Sequence, residues 1–249
     1  MSRLRELFIP TSCAGLIALL PMLATAFESY DSCVAAVATD PATTIDAADK
    51  WARFDGGWPA KHCRALALIA AGAEMQGARE LAGIAADAKE LPPQVRSEMF
   101  AHAGDVFLQL DQVPEAKQSL DRALNLATDP APALTLRAAI KAAEGDHRGA
   151  ITDLSEVMEA SGPAAGLLIL RSEARHATGD LVGARDDANR AIGQSPENAD
   201  AWYRSGQIEA ELGNKPGARD AWLKTIDLAR GTPLAQQAQI NLQRMDLGQ

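Results

Sequence analysis

Residues 201–229 read AWYRSGQIEAELGNKPGARDAWLKTIDLA. Two helix-forming runs flank Leu212-Gly213-Asn214, and Ala218 lies near the start of the second run. Ala218 ends a series, Ala82, Ala116, Ala150, Ala184 and Ala218, in which each alanine follows the last by 34 residues. A fixed period of this length means one helical hairpin copied and stacked. Alanine recurs where two helices cross closely, because a larger side chain would push them apart. Gly77, Gly145, Gly179 and Gly213 precede four of these alanines by five residues, and Asp111 stands there in the other copy. They read as turn residues able to take left-handed backbone angles. Prolines gather where the next helix should begin: Pro92, Pro93, Pro130, Pro132, Pro163, Pro196 and Pro233.

On these residues the chain resembles the tetratricopeptide repeat. The last copy carries Trp202, Gly206, Leu212, Gly213, Ala218 and Trp222 on the motif. The copy before it carries Leu168, Gly179, Asp180, Ala184, Ala188, Ala191 and Pro196; an earlier one carries Phe100, Gly104, Phe107, Leu110, Ala116, Leu120 and Ala123. A weaker copy keeps Leu134, Ala138, Gly145, Ala150 and Leu154. The resemblance implies an all-α, right-handed α-solenoid of helix hairpins. It divides residues 63–232 into five repeats: 63–96, 97–130, 131–164, 165–198 and 199–232. Counting back from Ala82 reaches Ala48, so residues 27–62 read as a degenerate hairpin, with a first helix over Ser29–Thr39 broken at Asp40-Pro41. Residues 233–249 read as a capping helix, Pro233–Met245, and a tail; a stack needs such a lid over its last apolar face.

Residues 1–26 read as a secretory signal peptide. Arg3 and Arg5 form a basic start, Cys13–Leu23 a short apolar run interrupted by Pro21, and Ala24-Thr25-Ala26 a small-residue cleavage signature. The run is short for a membrane span. Cleavage after Ala26 leaves 22 basic and 32 acidic side chains, a net charge of −10. That balance argues against nucleic acid, which needs a basic footprint, and no polybasic cluster marks a membrane surface. Two cysteines remain, Cys33 and Cys63. An even count in an exported chain suggests a disulfide, and in the resemblance the helices that carry them are neighbours. The alternatives are two free thiols or a redox pair, although no Cys-x-x-Cys is present.

Catalytic signatures are missing. His62, His102, His147 and His176 form no His-Glu-x-x-His and are not spaced as zinc ligands with a cysteine. His147 reads as a solvated turn residue and His62 as a surface or cap residue ahead of a helix. There is no nucleophile elbow and no phosphate-cradling loop. Asp186-Asp187 and Glu209/Glu211 read as solvated helix faces, and Gly56-Gly57-Trp58-Pro59 as a wide turn with Trp58 packed on the stack. No metal and no cofactor are expected.

The resemblance places the binding groove on the first helix of each hairpin, one, two and five residues after the motif's large residue. These positions are Ala67, Leu68 and Ala71; Ala101, His102 and Asp105; Thr135, Leu136 and Ala139; Ile169, Leu170 and Glu173; and Tyr203, Arg204 and Gln207. Ten of them, Leu68, His102, Asp105, Leu136, Ile169, Leu170, Glu173, Tyr203, Arg204 and Gln207, are the candidate contacts. Some members of the family clamp a terminal carboxylate with lysines and asparagines at these positions, which this chain lacks. Arg137 and Arg171 share a repeat position that reads as structural. The expectation is a non-catalytic scaffold or adaptor for a protein or peptide, acting in the periplasm, with secretion as second choice. The alternatives are an accessory component of an envelope enzyme or maturation system, and a self-associating structural protein.

Overall fold

The structure is a computed structural model that describes Phe27 and residues 29–248. The expected signal peptide, residues 1–26, lies outside the described residues, as does the last residue of the tail. The described residues form thirteen α-helices and no strand. They pair as hairpins: α1 (Tyr30–Val37) with α2 (Pro41–Phe54), α3 (Gly57–Ala70) with α4 (Glu74–Asp87), and α5 (Pro93–Gln109) with α6 (Val113–Leu126). Next come α7 (Ala131–Ala143) with α8 (His147–Ser161), α9 (Ala165–Ala177) with α10 (Leu181–Gln194), and α11 (Ala199–Glu211) with α12 (Lys215–Leu228); α13 (Pro233–Asp246) follows. The result is an all-α solenoid in which each element packs on its neighbours in the chain.

One turn recurs inside five hairpins. Gly72, Asp111, Gly145, Gly179 and Gly213 have φ of +86°, +59°, +85°, +81° and +80°. The next amide bonds back across the turn, as in Asp146 N to Lys141 O and Asn214 N to Glu209 O, both 2.8 Å, so the left-handed residue closes the first helix. In the last three hairpins, Asp146, Asp180 and Asn214 then cap the second helix by accepting from the amides of Gly149, Gly183 and Gly217.

The register differs from the expected one in the first regular hairpin. Its turn residue is Gly72, 39 residues before Asp111, whereas the later turns are 34 apart. The extra length lies in α5, which has 17 residues where α7, α9 and α11 have 13, and in the linker before it, where Leu91 is buried. Gly77 is therefore not a turn residue. It is buried at the fourth position of α4, the place held by Ala116, Ala150, Ala184 and Ala218 in their helices, and a Cβ there would lie 2.6 Å from Ile69 Cγ1. Ala82 is only partly buried and off the crossing; Ala48, counted from it, is buried but is the eighth residue of α2, whose fourth is Thr44. The expected boundaries 62/63 and 96/97 fall inside α3 and α5.

Size is matched across the hairpins. Gly104 on α5 faces Leu120 on α6, and Gly206 on α11 faces Trp222 on α12; an added Cβ would sit 2.9 Å and 2.5 Å from those side chains. Ala138 and Leu154 occupy the same two places between α7 and α8. Charge is matched as well. Arg137 grips Asp153 through Nε and Nη2 at 2.9 and 2.8 Å, and Arg171 grips Asp187 in the same bidentate way at 2.8 Å for both contacts. Lys141 and Arg175 add a second cation to each. Arg64 and Glu80 form the corresponding pair between α3 and α4. Where the arginine place holds Ala103 or Ser205, the acid place holds Ser119 or Ala221, so neither hairpin buries a lone charge. Asp187 is thus no solvated face; it is 1% exposed.

The N-terminal hairpin is fastened rather than merely packed. Ser29 starts α1 with a reciprocal capping box, and Asp40 caps α2, which has Pro41 in its first turn. Cys33 and Cys63 are joined, with Cα atoms 6.1 Å apart, in a buried cluster with Ala48 and Trp51. The Gly56–Pro59 segment is no wide turn, since α3 begins at Gly57, but Trp58 does pack against the core of the stack, as expected. At the other end, α13 buries Ala235, Ala238 and Leu242 and exposes Gln236, Gln239 and Gln243 together with Ile240, a mainly polar outer face that ends the stack.

Candidate functional site

Along one side of the stack the first helices meet in pairs, α1 with α3, α5 with α7, α7 with α9 and α9 with α11, and α3 and α5 wall one cavity together. The turn residue sets their register. The places ten, nine and six residues before it hold Ala101, His102 and Asp105 on α5; Thr135, Leu136 and Ala139 on α7; Ile169, Leu170 and Glu173 on α9; and Tyr203, Arg204 and Gln207 on α11. On α3 the same places hold His62, Cys63 and Leu66. Leu68 is therefore not on this face. It is 5% exposed and aligned with Phe107, Lys141 and Arg175, so it belongs to the core.

The other nine candidates fall into three groups. On α11 and α9, Arg204 Nη2 meets a Glu173 carboxylate oxygen at 2.9 Å, its Nη1 donates to Gln207 Oε1 at 3.2 Å, and the guanidinium lies 5.9 Å from the Tyr203 ring centroid. Tyr203 is buried to 9% exposure, and its hydroxyl accepts from Asn241 Nδ2 on α13 at 3.3 Å. In the middle, Leu136 and Ile169 are half-buried and Leu170 is 37% exposed. On α5, His102 is exposed, and the Asp105 carboxylate accepts from Gln109 Nε2 at 3.1 Å.

Two cavities end the face. One of about 440 Å³ lies between α1, α3 and α5, with Val34, Val37, Leu66 and Ile69 as walls and His102 at its edge. The other, about 450 Å³, lies between α11, α12 and α13 and is lined by Gln207, Glu211, Lys215, Asn241 and Arg244. His176 Nε2 and Glu211 Oε1, 2.8 Å apart, link α9 to α11 beside it. Asn241 and Arg244 lie outside the repeats, so no register could point to them.

His62 is not a surface cap. It sits within α3, its Nδ1 2.7 Å from the Tyr30 hydroxyl and its ring stacked on Tyr30. Desolvation, with His102 nearby, pushes its pKa down to about 4. Desolvation also lowers His102, against the pull of Asp105. Burial works against the Asp153 charge, but hydrogen bonds from Arg137 and Lys141 outweigh it and hold the carboxyl below the usual range. Among the described residues, no group of three or more His, Cys, Asp or Glu is placed to hold a metal ion. None of the described helices is long and apolar enough to cross a membrane.

No family model matches the chain, and no curated protein does. Solved structures do. MamA (residues 41 to the end) from Desulfovibrio magneticus RS-1 is 18% identical, with a TM-score of 0.62 over 71% of this chain and 97% of that one. The C-terminal part of a TPR repeat-containing protein from Cytophaga hutchinsonii is 13% identical, with a TM-score of 0.69 over 87% of this chain and 86% of that one. A chain of the APC/C hetero-tetramer Cut9–Hcn1 is 13% identical, with a TM-score of 0.67 over 87% of this chain and 42% of that one. The chain has the tetratricopeptide-repeat fold.

Proposed function

We propose that this tetratricopeptide solenoid is a non-catalytic scaffold or adaptor of the cell envelope, and that the first-helix face from His102 to Gln207 holds a segment of another protein. One observation carries the reading: the places nine and six residues before the turn stay accessible from α5 to α11, while the alanines and acids that build the stack are buried. Exposed Leu170 beside half-buried Leu136 and Ile169, rimmed by polar side chains, gives an apolar stretch of the kind an interaction face presents. Cut9–Hcn1, a hetero-tetramer with a chain of this fold, supports the use of the fold in assemblies. Export rests on the basic, apolar and small-residue order of residues 1–26, and the Cys33–Cys63 bond suits an oxidising compartment.

The test is the double substitution Leu170→Asp with Arg204→Glu. It is expected to abolish capture of partners from an envelope extract while helicity is kept and Tm falls by no more than loss of the partly exposed Arg204–Glu173 pair accounts for. Undiminished capture by a folded double variant removes this face from consideration.

A further inference from the structure

Charge on the first-helix face selects a class of partner, an inference that rests on that face being the groove. Of the two carboxylates at the turn-registered places, Glu173 is matched by Arg204. Asp105 is not matched in this way; its hydrogen-bond partner is the neutral Gln109 amide. His102, one turn earlier on α5, is held below its ordinary pKa by desolvation, against the pull of the Asp105 charge, and the two form no ion pair. Asp105 therefore stands half-buried, with a neutral amide as its hydrogen-bond partner, on the helix between two apolar features. On one side is the socket of Val34, Val37, Leu66 and Ile69; on the other is the stretch of Leu136 and Leu170. A carboxylate without a cationic partner, set between apolar features, favours an incoming cation and rejects an incoming anion.

We propose that the occupant is an extended segment of a partner protein bearing a lysine or arginine between apolar side chains. The cation lies on Asp105, and the apolar residues fill the socket and cover Leu136 and Leu170. This charge pattern complements the wall where a purely apolar or acidic segment does not.

The experiment uses three fluorescently labelled, end-blocked peptides that share the core Leu-Val-X-Leu-Val between Gly-Ser flanks, with X as lysine, glutamine or glutamate. Binding is read by anisotropy. The lysine peptide is expected to bind about tenfold tighter than the glutamate peptide, a difference of about 1.4 kcal/mol. Asp105→Asn should flatten the order and Asp105→Lys reverse it, with circular dichroism confirming that both variants fold. Leu136→Asp with Leu170→Asp should remove binding of all three. Equal affinities, an order indifferent to Asp105, or no binding by any peptide overturns the inference. If the peptides bind equally and the Leu136/Leu170 variant loses them, the groove reading stands and only the cationic class fails. If binding survives in that variant, the groove reading itself fails.

Discussion

Cys63 on α3 and Arg204 on α11 hold the same place, nine residues before the left-handed turn of their hairpins, and each is tied to the preceding first helix. Cys63 is bonded to Cys33 on α1, and Arg204 is ion-paired to Glu173 on α9. The disulfide is thus a covalent version of the contact that α11 makes to α9 with charge. It falls at the end of the stack, where the eight-residue α1 offers the least area to bury.

Removing that bond should cost stability locally. Closing a loop of 30 residues between Cys33 and Cys63 restricts the unfolded chain by about 3–4 kcal/mol. The Cys33→Ser/Cys63→Ser variant is expected to unfold in two phases, its N-terminal hairpin melting ahead of the rest. Differential scanning calorimetry distinguishes this from one cooperative transition at the original Tm. In the unreduced native protein, alkylation should label neither Cys33 nor Cys63.

The buried acids make a second prediction. Asp153→Asn leaves Arg137 and Lys141 around a site that is 2% exposed, and breaking a buried pair in this way costs about 3 kcal/mol. The native carboxyl lies below its ordinary pKa, so its contribution is present above the unfolded value of about 4. It is lost as pH falls through the lower folded value. Urea midpoints of the native protein should therefore fall more steeply below about pH 4 than those of Asp153→Asn. Parallel curves would contradict the pairing.

Gly206 and Trp222 should behave as a unit. Gly206→Ala puts a Cβ 2.5 Å from the indole, an overpacking worth about 1–3 kcal/mol. Adding Trp222→Leu recreates the alanine–leucine pair of Ala138 and Leu154. The double variant should be more stable than the sum of the single effects allows; strict additivity would show that the two side chains do not meet.

His62 supplies a pH effect of its own. Its pKa of about 4 lies below the unfolded value of 6.5, so the neutral ring is the form that folding favours. Its contribution is full above pH 6.5, declines as pH falls, and is gone below about 4. His62→Gln should flatten the stability profile across that window, and NMR titration of the native ring should show no midpoint near 6.5.

The solenoid is legible in the sequence because packing imposes it residue by residue. Ala116, Ala150, Ala184 and Ala218 are all fully buried at one helix crossing, and such a constraint leaves a period. The period misleads at the first regular hairpin for a physical reason: α4 is so rich in alanine that Ala82 meets it by composition while Gly77 makes the crossing. With the register slipped, Leu68 falls on the groove in place of Cys63. Asp187 reads as solvated because a lone acid on a helix usually is. Its signal is present in the recurrence of an arginine 16 residues before an acid, at Arg64–Glu80, Arg137–Asp153 and Arg171–Asp187. The face itself has only the borrowed register, since binding places leave no packing period of their own.

The central claim is that another chain lies on the first-helix face, and site-specific photo-crosslinking tests it most directly. A photoreactive phenylalanine is placed at Leu136 or Leu170, and for comparison at Val182 or Leu223, which are exposed on the second helices α10 and α12. The protein is irradiated in the native cell envelope. The account predicts a discrete crosslinked partner from the first pair of positions and none from the second. Crosslinks to that partner from Val182 or Leu223, with none from Leu136 and Leu170, would contradict it.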